Sequence, residues 1–164
     1  MLIDTALLVL GRGPGALVVA KIASGYGLAS LIAGHEPAAL EHDESPVALS
    51  AAAVAELTPH GVIHVMRPFF AAVDPIWIAP AAFEEVLKQH CVVDLNVTVY
   101  DGMTLIERTP RGDGIAGVLT DGRSRWDLVA DHFVDANDLP TELNAAILAG
   151  AERARSIVAS LSAR

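Results

Sequence analysis

The stretch LVLGRGPGALVVA, from Leu8 to Ala20, places three glycines and a proline between two apolar runs. The run before the glycines, from Ile3 to Leu10, is typical of a buried strand. Pro14 fits the first position of a helix, because its missing N–H costs nothing there, and this helix is expected to end at Gly25. A second strand is expected from Leu28 to Ala33. Strand, tight turn, helix and strand in this order predict a β-α-β unit with parallel strands.

The turn itself has the spacing Gly-x-Gly-x-x-Ala. Gly11 allows a tight exit from the strand, Gly13 lets a diphosphate approach the backbone, and Ala16 lets the helix pack closely on the sheet. The free N–H groups at the helix start attract an anion. A plain turn without ligand is the alternative, but the strand and helix around it favour a dinucleotide site. The candidate binding residues in this turn are Gly11, Arg12, Gly13, Pro14, Gly15 and Ala16.

An acidic residue after the second strand is the expected partner of the adenosine ribose. Glu36 is the candidate, because a carboxylate accepts hydrogen bonds from both ribose hydroxyls and repels a 2′-phosphate. His35 is the rival, since it could donate a hydrogen bond to a phosphate instead. A solvated loop acid is the alternative interpretation of Glu36.

The rest of the chain adds three helices and a region of short strands. Helices are predicted from Ser50 to Leu57, from Pro80 to Gln89 and from Thr141 to Ser162. From Asn96 to Val134 the apolar pattern has a period of two and predicts three short strands, with turns at TPRGDG and TDGRS. The segment from Thr58 to Pro80 is expected to be irregular or to form short strands.

Charge and composition exclude several classes of protein. The net charge of −9 disfavours nucleic acids and anionic membranes as partners. No apolar run reaches the length of a membrane span, and the first residues do not resemble a signal peptide, so a cytoplasmic protein is expected. The single cysteine, Cys91, excludes an internal disulfide and is expected to be buried and inert.

The other candidate residues are expected to have structural roles and to form no functional site. His60 and His64 are four residues apart, but Gly61 and the β-branched residues between them argue against a helix, so no metal site is expected. The acids from Glu41 to Ser45 are expected to form a solvated loop, and Phe69, Phe70 and Trp77 to pack in the core or in an interface. Motifs of serine hydrolases and P-loop proteins are absent from the sequence.

The opening of the chain, LVLGRGPGALVVAKIASGYGLASLIAGHE, resembles the glutathione-reductase-like flavoproteins. This resemblance implies an α/β fold: a Rossmann-like three-layer FAD/NAD(P)-binding domain with a central parallel sheet and a small β-meander. It implies a single domain over residues 1–164. Two departures from the family pattern are visible: the usual Ala-Gly order is reversed at Gly15 and Ala16, and the ribose acid of most members aligns with Gly34.

The segment HFVDANDLPTELNAAILAGAERARSIVASL resembles the last strand and helix of the same family. The resemblance implies that Asn137 and Asp138 stand for a Gly-Asp pair, with Asp138 accepting a hydrogen bond from the ribityl chain. The following helix would then point its N-terminus at the flavin. An N-cap for that helix is the alternative role of Asp138. The middle segment AAFEEVLKQHCVVDLNVTVYDGMTLIER resembles the helix and strand that precede the meander of the same family, and this register implies that Leu105 lies near the adenine.

The function implied by the resemblance is that of an FAD-binding protein, either a minimal flavin-dependent oxidoreductase or the FAD-binding part of one. The alternative is a non-catalytic or vestigial dinucleotide-binding protein, with NAD(P) or FAD, that acts in sensing or assembly. No catalytic side chain is identified. Members of the family usually carry further domains, so the surroundings of the flavin ring are expected from a second copy in a homo-oligomer or from a separate catalytic subunit.

Overall fold

The computed structural model of the chain describes residues 1–34 and 45–163, which form nine strands and five α-helices. The strands are β1 (Leu2–Leu10), β2 (Ser30–Ala33), β3 (Val47–Ala48), β4 (Ala72–Val73), β5 (Ile76–Ile78), β6 (Val97–Tyr100), β7 (Thr104–Arg111), β8 (Gly114–Thr120) and β9 (Arg125–Asp135). The helices are α1 (Pro14–Gly25), α2 (Ala51–Leu57), α3 (Val62–Met66), α4 (Pro80–Val92) and α5 (Leu143–Ser162). Short 3-10 turns lie at Thr58–His60, Arg67–Phe69 and Ala136–Asp138.

The predicted β-α-β unit is confirmed. β1 and β2 are parallel neighbours, with Leu8 opposite Leu31 in the register. α1 begins at Pro14 and ends at Gly25, as predicted. Each of these boundaries is marked in the sequence by a proline or a glycine, and such local signals do not depend on the rest of the fold.

The main sheet has six strands in the order β6-β2-β1-β9-β8-β7. β6, β2, β1 and β9 are parallel to one another, and β8 and β7 continue the sheet as an antiparallel meander. The prediction of three strands between Asn96 and Val134 is wrong, because this segment holds four. The turn before Met103 separates β6, which pairs with β2, from β7, which pairs with β8.

Two apolar clusters cover the two faces of the sheet. One contains side chains from α1, α4 and α5, among them Leu17, Leu87 and Ile147, packed on Leu7 and Val9 of β1. The other joins Leu8 and Leu10 of β1 to the meander. Alternate residues of β1 therefore enter different clusters, as the two-residue period of a strand requires. The result is the expected three-layer α/β fold with a mostly parallel sheet and a small meander.

The segment from Thr58 to Pro80 is more helical than expected. It contains α3, whose residues Val62 and Met66 are both buried one helical turn apart. Burial of these two side chains outweighs the low helix propensity of the β-branched residues. β3, β5 and β4 form a separate three-stranded antiparallel sheet. Within residues 1–34 and 45–163, none of the helices is long and apolar enough to cross a membrane.

Candidate functional site

The glycine turn connects the end of β1 to the start of α1. The N–H of Gly11 donates to the carbonyl of Ala33 over 3.1 Å, which fixes the start of the turn beside the end of β2. Gly13 has φ +95° and ψ 170°, a backbone conformation that is essentially restricted to glycine. A Cβ placed on Gly13 would meet none of the described atoms within 4 Å. The space above this residue is therefore open to a ligand.

The first turn of α1 is buried yet has no side-chain cap. Gly13 is the N-cap residue and Pro14 follows it, so neither offers a side-chain oxygen to the N–H groups of the first turn. Gly15 and Ala16 are buried. The first N–H groups of a helix have no partner within the helix, and the helix dipole makes an anion a favourable one. The geometry thus fits a diphosphate at this position.

The small residues of the turn also set how α1 packs. A Cβ on Gly150 of α5 would lie 3.0 Å from the carbonyl oxygen of Gly15, and a Cβ on Gly15 would lie 2.9 Å from Cδ1 of Leu139. Glycine at both positions lets α1 and α5 approach closely. This packing holds the start of α1 at the edge of the sheet beside the end of β1.

A cavity of about 250 Å³ lies next to the glycine turn, at the ends of β1 and β2 and the start of β7. Four of the predicted residues line it, namely Gly11, Arg12, Leu105 and Asn137. The remaining residues that line the cavity are Leu10, Gly34, Gly102, Met103, Thr104 and Arg108. From the sequence alone none of them was assigned to a site, although Gly34 was aligned with the ribose acid. The structure therefore brings together residues that are separated by up to 127 positions in the chain, from Leu10 to Asn137.

Asn137 and Asp138 have different positions relative to this cavity. A Cβ on Gly11 would lie 3.4 Å from Oδ1 of Asn137, so the turn and the end of β9 are in close contact. The N–H of Asn137 donates to Asp135 Oδ1 over 3.0 Å. Asp138 is exposed and does not line the cavity. A role for Asp138 toward a ribityl chain stays a prediction.

Asp138 is not the N-cap of α5, so that alternative is wrong. Glu142 has this role, because its carboxylate accepts from the N–H of Asn144 over 3.0 Å and from the N–H of Ala145 over 2.8 Å. These hydrogen bonds, the one from Ala145 first, lower the pKa of Glu142. Asp138 is too early in the chain to cap the helix, since Pro140 and its neighbours separate the 3-10 turn from α5.

Gly34 occupies the position where most members of the resembled family have the ribose acid. Its φ is +68°, and a Cβ on it would lie 3.3 Å from the carbonyl oxygen of Met103. A carboxylate side chain at this position would therefore strain the backbone and press on the start of the meander. His35 and Glu36, the candidates for the ribose contact, lie outside the described residues, and so do Glu41 to Glu44 of the predicted acidic loop.

The remaining candidates behave as ordinary structural residues. Cys91 lies inside α4 and is buried, and burial raises the pKa of its thiol to about 12, so the prediction of an inert cysteine is confirmed. His60 belongs to a 3-10 turn and His64 to α3. In the part of the chain that the structure describes, His, Cys, Asp and Glu form no group of three that could hold a metal ion. Phe69 and Trp77 are exposed, and Phe70 packs partly against the core.

Comparisons with known proteins rest on structure. No protein-family model and no curated protein matches the chain. Many solved structures are similar to it, and three of them are the following. One is the p-nitrophenol 4-monooxygenase PnpA from Pseudomonas putida DLL-E4, at TM-score 0.66 and 15% identity, covering 82% of this chain and 41% of that one. The second is a flavoprotein/dehydrogenase from Cytophaga hutchinsonii, at TM-score 0.61 and 16% identity, covering 82% and 39%. The third is the flavin-dependent monooxygenase PieE, solved with FAD and substrate, at TM-score 0.63 and 13% identity, covering 80% and 30%.

These similarities establish the fold of the chain. The chain has an α/β architecture with a mostly parallel sheet, and its fold is similar to that of these three proteins. The chain spans only 30–41% of the length of these proteins.

Proposed function

We propose that the chain binds FAD through the glycine turn and the adjoining cavity. We also propose that it is a minimal flavin-dependent oxidoreductase or the FAD-binding part of one. The observation that carries this proposal is the open space at Gly13 above a buried helix start with no side-chain cap. The flavoprotein fold supports the same interpretation. We also propose that the chain is related to the glutathione-reductase-like family, which its sequence resembles.

The residues present fit the cofactor at two points. The N–H groups of Gly15 and Ala16 would hold the diphosphate, because the helix dipole and the open backbone at Gly13 favour an anion there. The cavity walls formed by Met103 and Leu105 are apolar and buried, and they would pack against the adenine. Asn137, at the other wall, would orient the chain of the cofactor between diphosphate and flavin. The flavin itself supplies the redox chemistry when it is bound.

A non-catalytic dinucleotide-binding protein, with NAD(P) or FAD as ligand, is the second candidate. Gly34 favours it, since the position expected to carry a ribose-binding acid has neither a carboxylate nor the space for one. A protein of this kind would use the bound nucleotide for sensing or assembly.

Absorbance of the purified chain tests the proposal. The full chain is incubated with FAD, separated from free cofactor by gel filtration and scanned between roughly 350 and 500 nm, where a bound flavin absorbs. We expect flavin bands that elute with the protein. A colourless protein that also fails to take up FAD from solution contradicts the proposal, and uptake of NAD(P) alone supports the second candidate.

We further propose that the chain acts as one domain, in the cytoplasm, and that it associates with a second copy or with a separate catalytic subunit. Exposed apolar side chains on the small sheet support association: Val73 is 71% exposed and Trp77 41%. Light scattering of the purified protein tests this, and a monomer at all concentrations contradicts self-association.

A further inference from the structure

Two arginines line the cavity from different elements. Arg12 belongs to the turn after β1, and Arg108 belongs to β7 in the meander. Among the described residues that line the cavity there is no aspartate or glutamate. The chain as a whole carries 20 acidic residues and 11 lysines and arginines. An acidic protein thus places two arginines along one small cavity, which favours an anionic ligand there.

A bulge in β7 determines the position of Arg108. The pairing of β7 with β8 shifts register between Ile106 and Thr109, and Glu107 has φ +54°. Glu107 is the only residue other than glycine with positive φ in the described ranges. Such a conformation is strained for a residue with a side chain, and bulges of this kind redirect side chains near binding sites. Arg108 follows the strained residue directly and lines the cavity, and Glu107 forms an exposed ion pair with Arg125.

The guanidinium of Arg108 also contacts two side chains of β9. Its Nη1 lies 3.7 Å from Oδ2 of Asp135, and its Cζ lies 6.0 Å from the ring centroid of Phe133. Asp135 in turn accepts a hydrogen bond from the N–H of Asn137, which lines the same cavity. These contacts favour orientations of the Arg108 side chain that lie beside Asn137 and the cavity.

We propose that Arg12 and Arg108 together bind a phosphate group of the nucleotide in this cavity. The inference rests on the proposed nucleotide site and identifies side chains that recognise phosphate in addition to the backbone of the glycine turn. Guanidinium groups form paired, charge-assisted hydrogen bonds with phosphate oxygens. The phosphate comes either from the diphosphate of the cofactor or from a 2′-phosphate on the ribose.

Binding measurements with three adenine compounds test this proposal. Calorimetry on the flavin-free full chain gives the affinities for adenosine, 5′-ADP and adenosine 2′,5′-bisphosphate, and flavin fluorescence gives the affinity for FAD. The variants are Arg108→Gln, Arg108→Lys and Arg12→Gln. Arg111→Gln is the matched control, because Arg111 is an exposed residue of the same strand that does not line the cavity.

We expect Arg108→Gln to weaken binding of 5′-ADP and FAD by about tenfold or more, the effect of one charge-assisted contact. Adenosine binding should be unchanged, Arg108→Lys should recover part of the loss, and Arg111→Gln should match the wild type. If the 2′-phosphate is the group recognised, the largest loss falls on the 2′,5′-bisphosphate instead.

Two results overturn the inference. One is an equal loss for adenosine and 5′-ADP, which would show a general effect on the cavity. The other is a wild-type chain that binds FAD while Arg108→Gln and Arg111→Gln bind it equally well. If the wild type binds neither FAD nor the adenine compounds, the proposed function itself fails. Should Arg108→Gln lose its cooperative thermal transition, Arg12→Gln against Arg111→Gln decides by the same criteria.

Discussion

The two ends of α1 differ in whether other side chains of the chain pair with their polar groups. At the first turn, Gly13 leaves open space and the buried start of the helix has no side-chain cap. Toward the other end, Lys21 Nζ lies 2.8 Å from Asp94 Oδ2, and the hydroxyl of Ser24 in the last turn donates to the same carboxylate over 2.8 Å. The side chains of Lys21 and Asp94 are only 12% and 13% exposed. The first turn of α1 thus keeps its N–H donors available beside the cavity. The other end of the helix pairs the charge of Lys21 with that of Asp94.

The difference between the two ends predicts that substitutions at one end change nucleotide binding and substitutions at the other end change stability. Hydrogen bonds from Lys21, from the N–H of Asn96 and from Ser24 lower the pKa of Asp94, although its burial acts in the opposite direction as the largest single effect. The carboxylate therefore stays charged and joins α1 to the segment before β6. Changes at the last turn should alter folding with little effect on the nucleotide, and changes at the first turn should alter binding most.

The largest effect is expected for Gly13→Val. A side chain there would fill the space proposed for the diphosphate, so FAD binding should fall by more than about a hundredfold, or by about 2.7 kcal/mol. The positive φ adds a stability cost of about 1–3 kcal/mol. Gly27→Val is the control, because Gly27 also has positive φ with open space, but at the far end of α1. It should lose stability and keep its affinity, as measured by urea unfolding and FAD titration. Equal affinity in both variants would show that Gly11–Ala16 is only a turn.

The next effect is expected for Asp94→Ala. The variant leaves Lys21 partly buried without its carboxylate, and we expect a loss of about 2–4 kcal/mol in the free energy of unfolding. FAD affinity should change by less than about twofold, since the altered end of α1 is remote from the cavity. Urea unfolding and flavin titration measure the two quantities. A stable variant with weakened binding would contradict the separation of the two ends.

Gly150→Ala should produce a smaller loss. The added methyl group would approach the carbonyl oxygen of Gly15 to 3.0 Å and Cβ of Val18 to 3.3 Å, which pushes α5 away from α1. We expect about 1–3 kcal/mol of destabilisation from overpacking. Because the displaced contact lies beside the glycine turn, FAD affinity should also fall, in contrast to Asp94→Ala. Unchanged affinity in a destabilised Gly150→Ala would show that α5 does not position the turn.

The smallest effect concerns pH. Burial, and then the charge of Lys21, lower the pKa of both His60 and His90 from 6.5. The unfolded chain therefore binds more protons at mildly acidic pH, so stability is present above pH 6.5 and falls as the pH drops through the folded pKa values. Urea midpoints at decreasing pH should show this decline. In a His60→Gln/His90→Gln variant it should be weaker, and an identical decline would exclude these residues as its cause.

The sequence predicted the first β-α-β unit well because its signals are local. Pro14 and Gly25 mark the ends of α1, and the apolar run before Gly11 marks β1. The proximity of Asn137 to the glycine turn was implied only by the resemblance to flavoproteins. It depends on the long-range parallel pairing of β9 with β1, for which neither segment carries a local signal.

Features that arise from tertiary contacts were missed. The helix α3 forms because Val62 and Met66 are buried, against the propensity of its residues. Arg108 reaches the cavity through a bulge at Glu107, and a register shift of this kind leaves no pattern in the sequence. Glu142 caps α5 in place of Asp138 because the helix starts after Pro140. For α3 and Arg108 the deciding partner is distant in sequence or depends on strand register, whereas Glu142 caps α5 through N–H groups two and three residues away.

The most direct test of the proposed diphosphate site at the start of α1 is an amide NMR titration of the labelled chain with FAD. The account predicts that the resonances of Gly13, Gly15 and Ala16 shift on binding, because their N–H groups face the diphosphate. The resonances of Ser24 and Gly27, at the other end of the same helix, should stay in place. Binding of FAD with no shift at Gly13–Ala16, or with larger shifts at the far end of α1, would contradict the account.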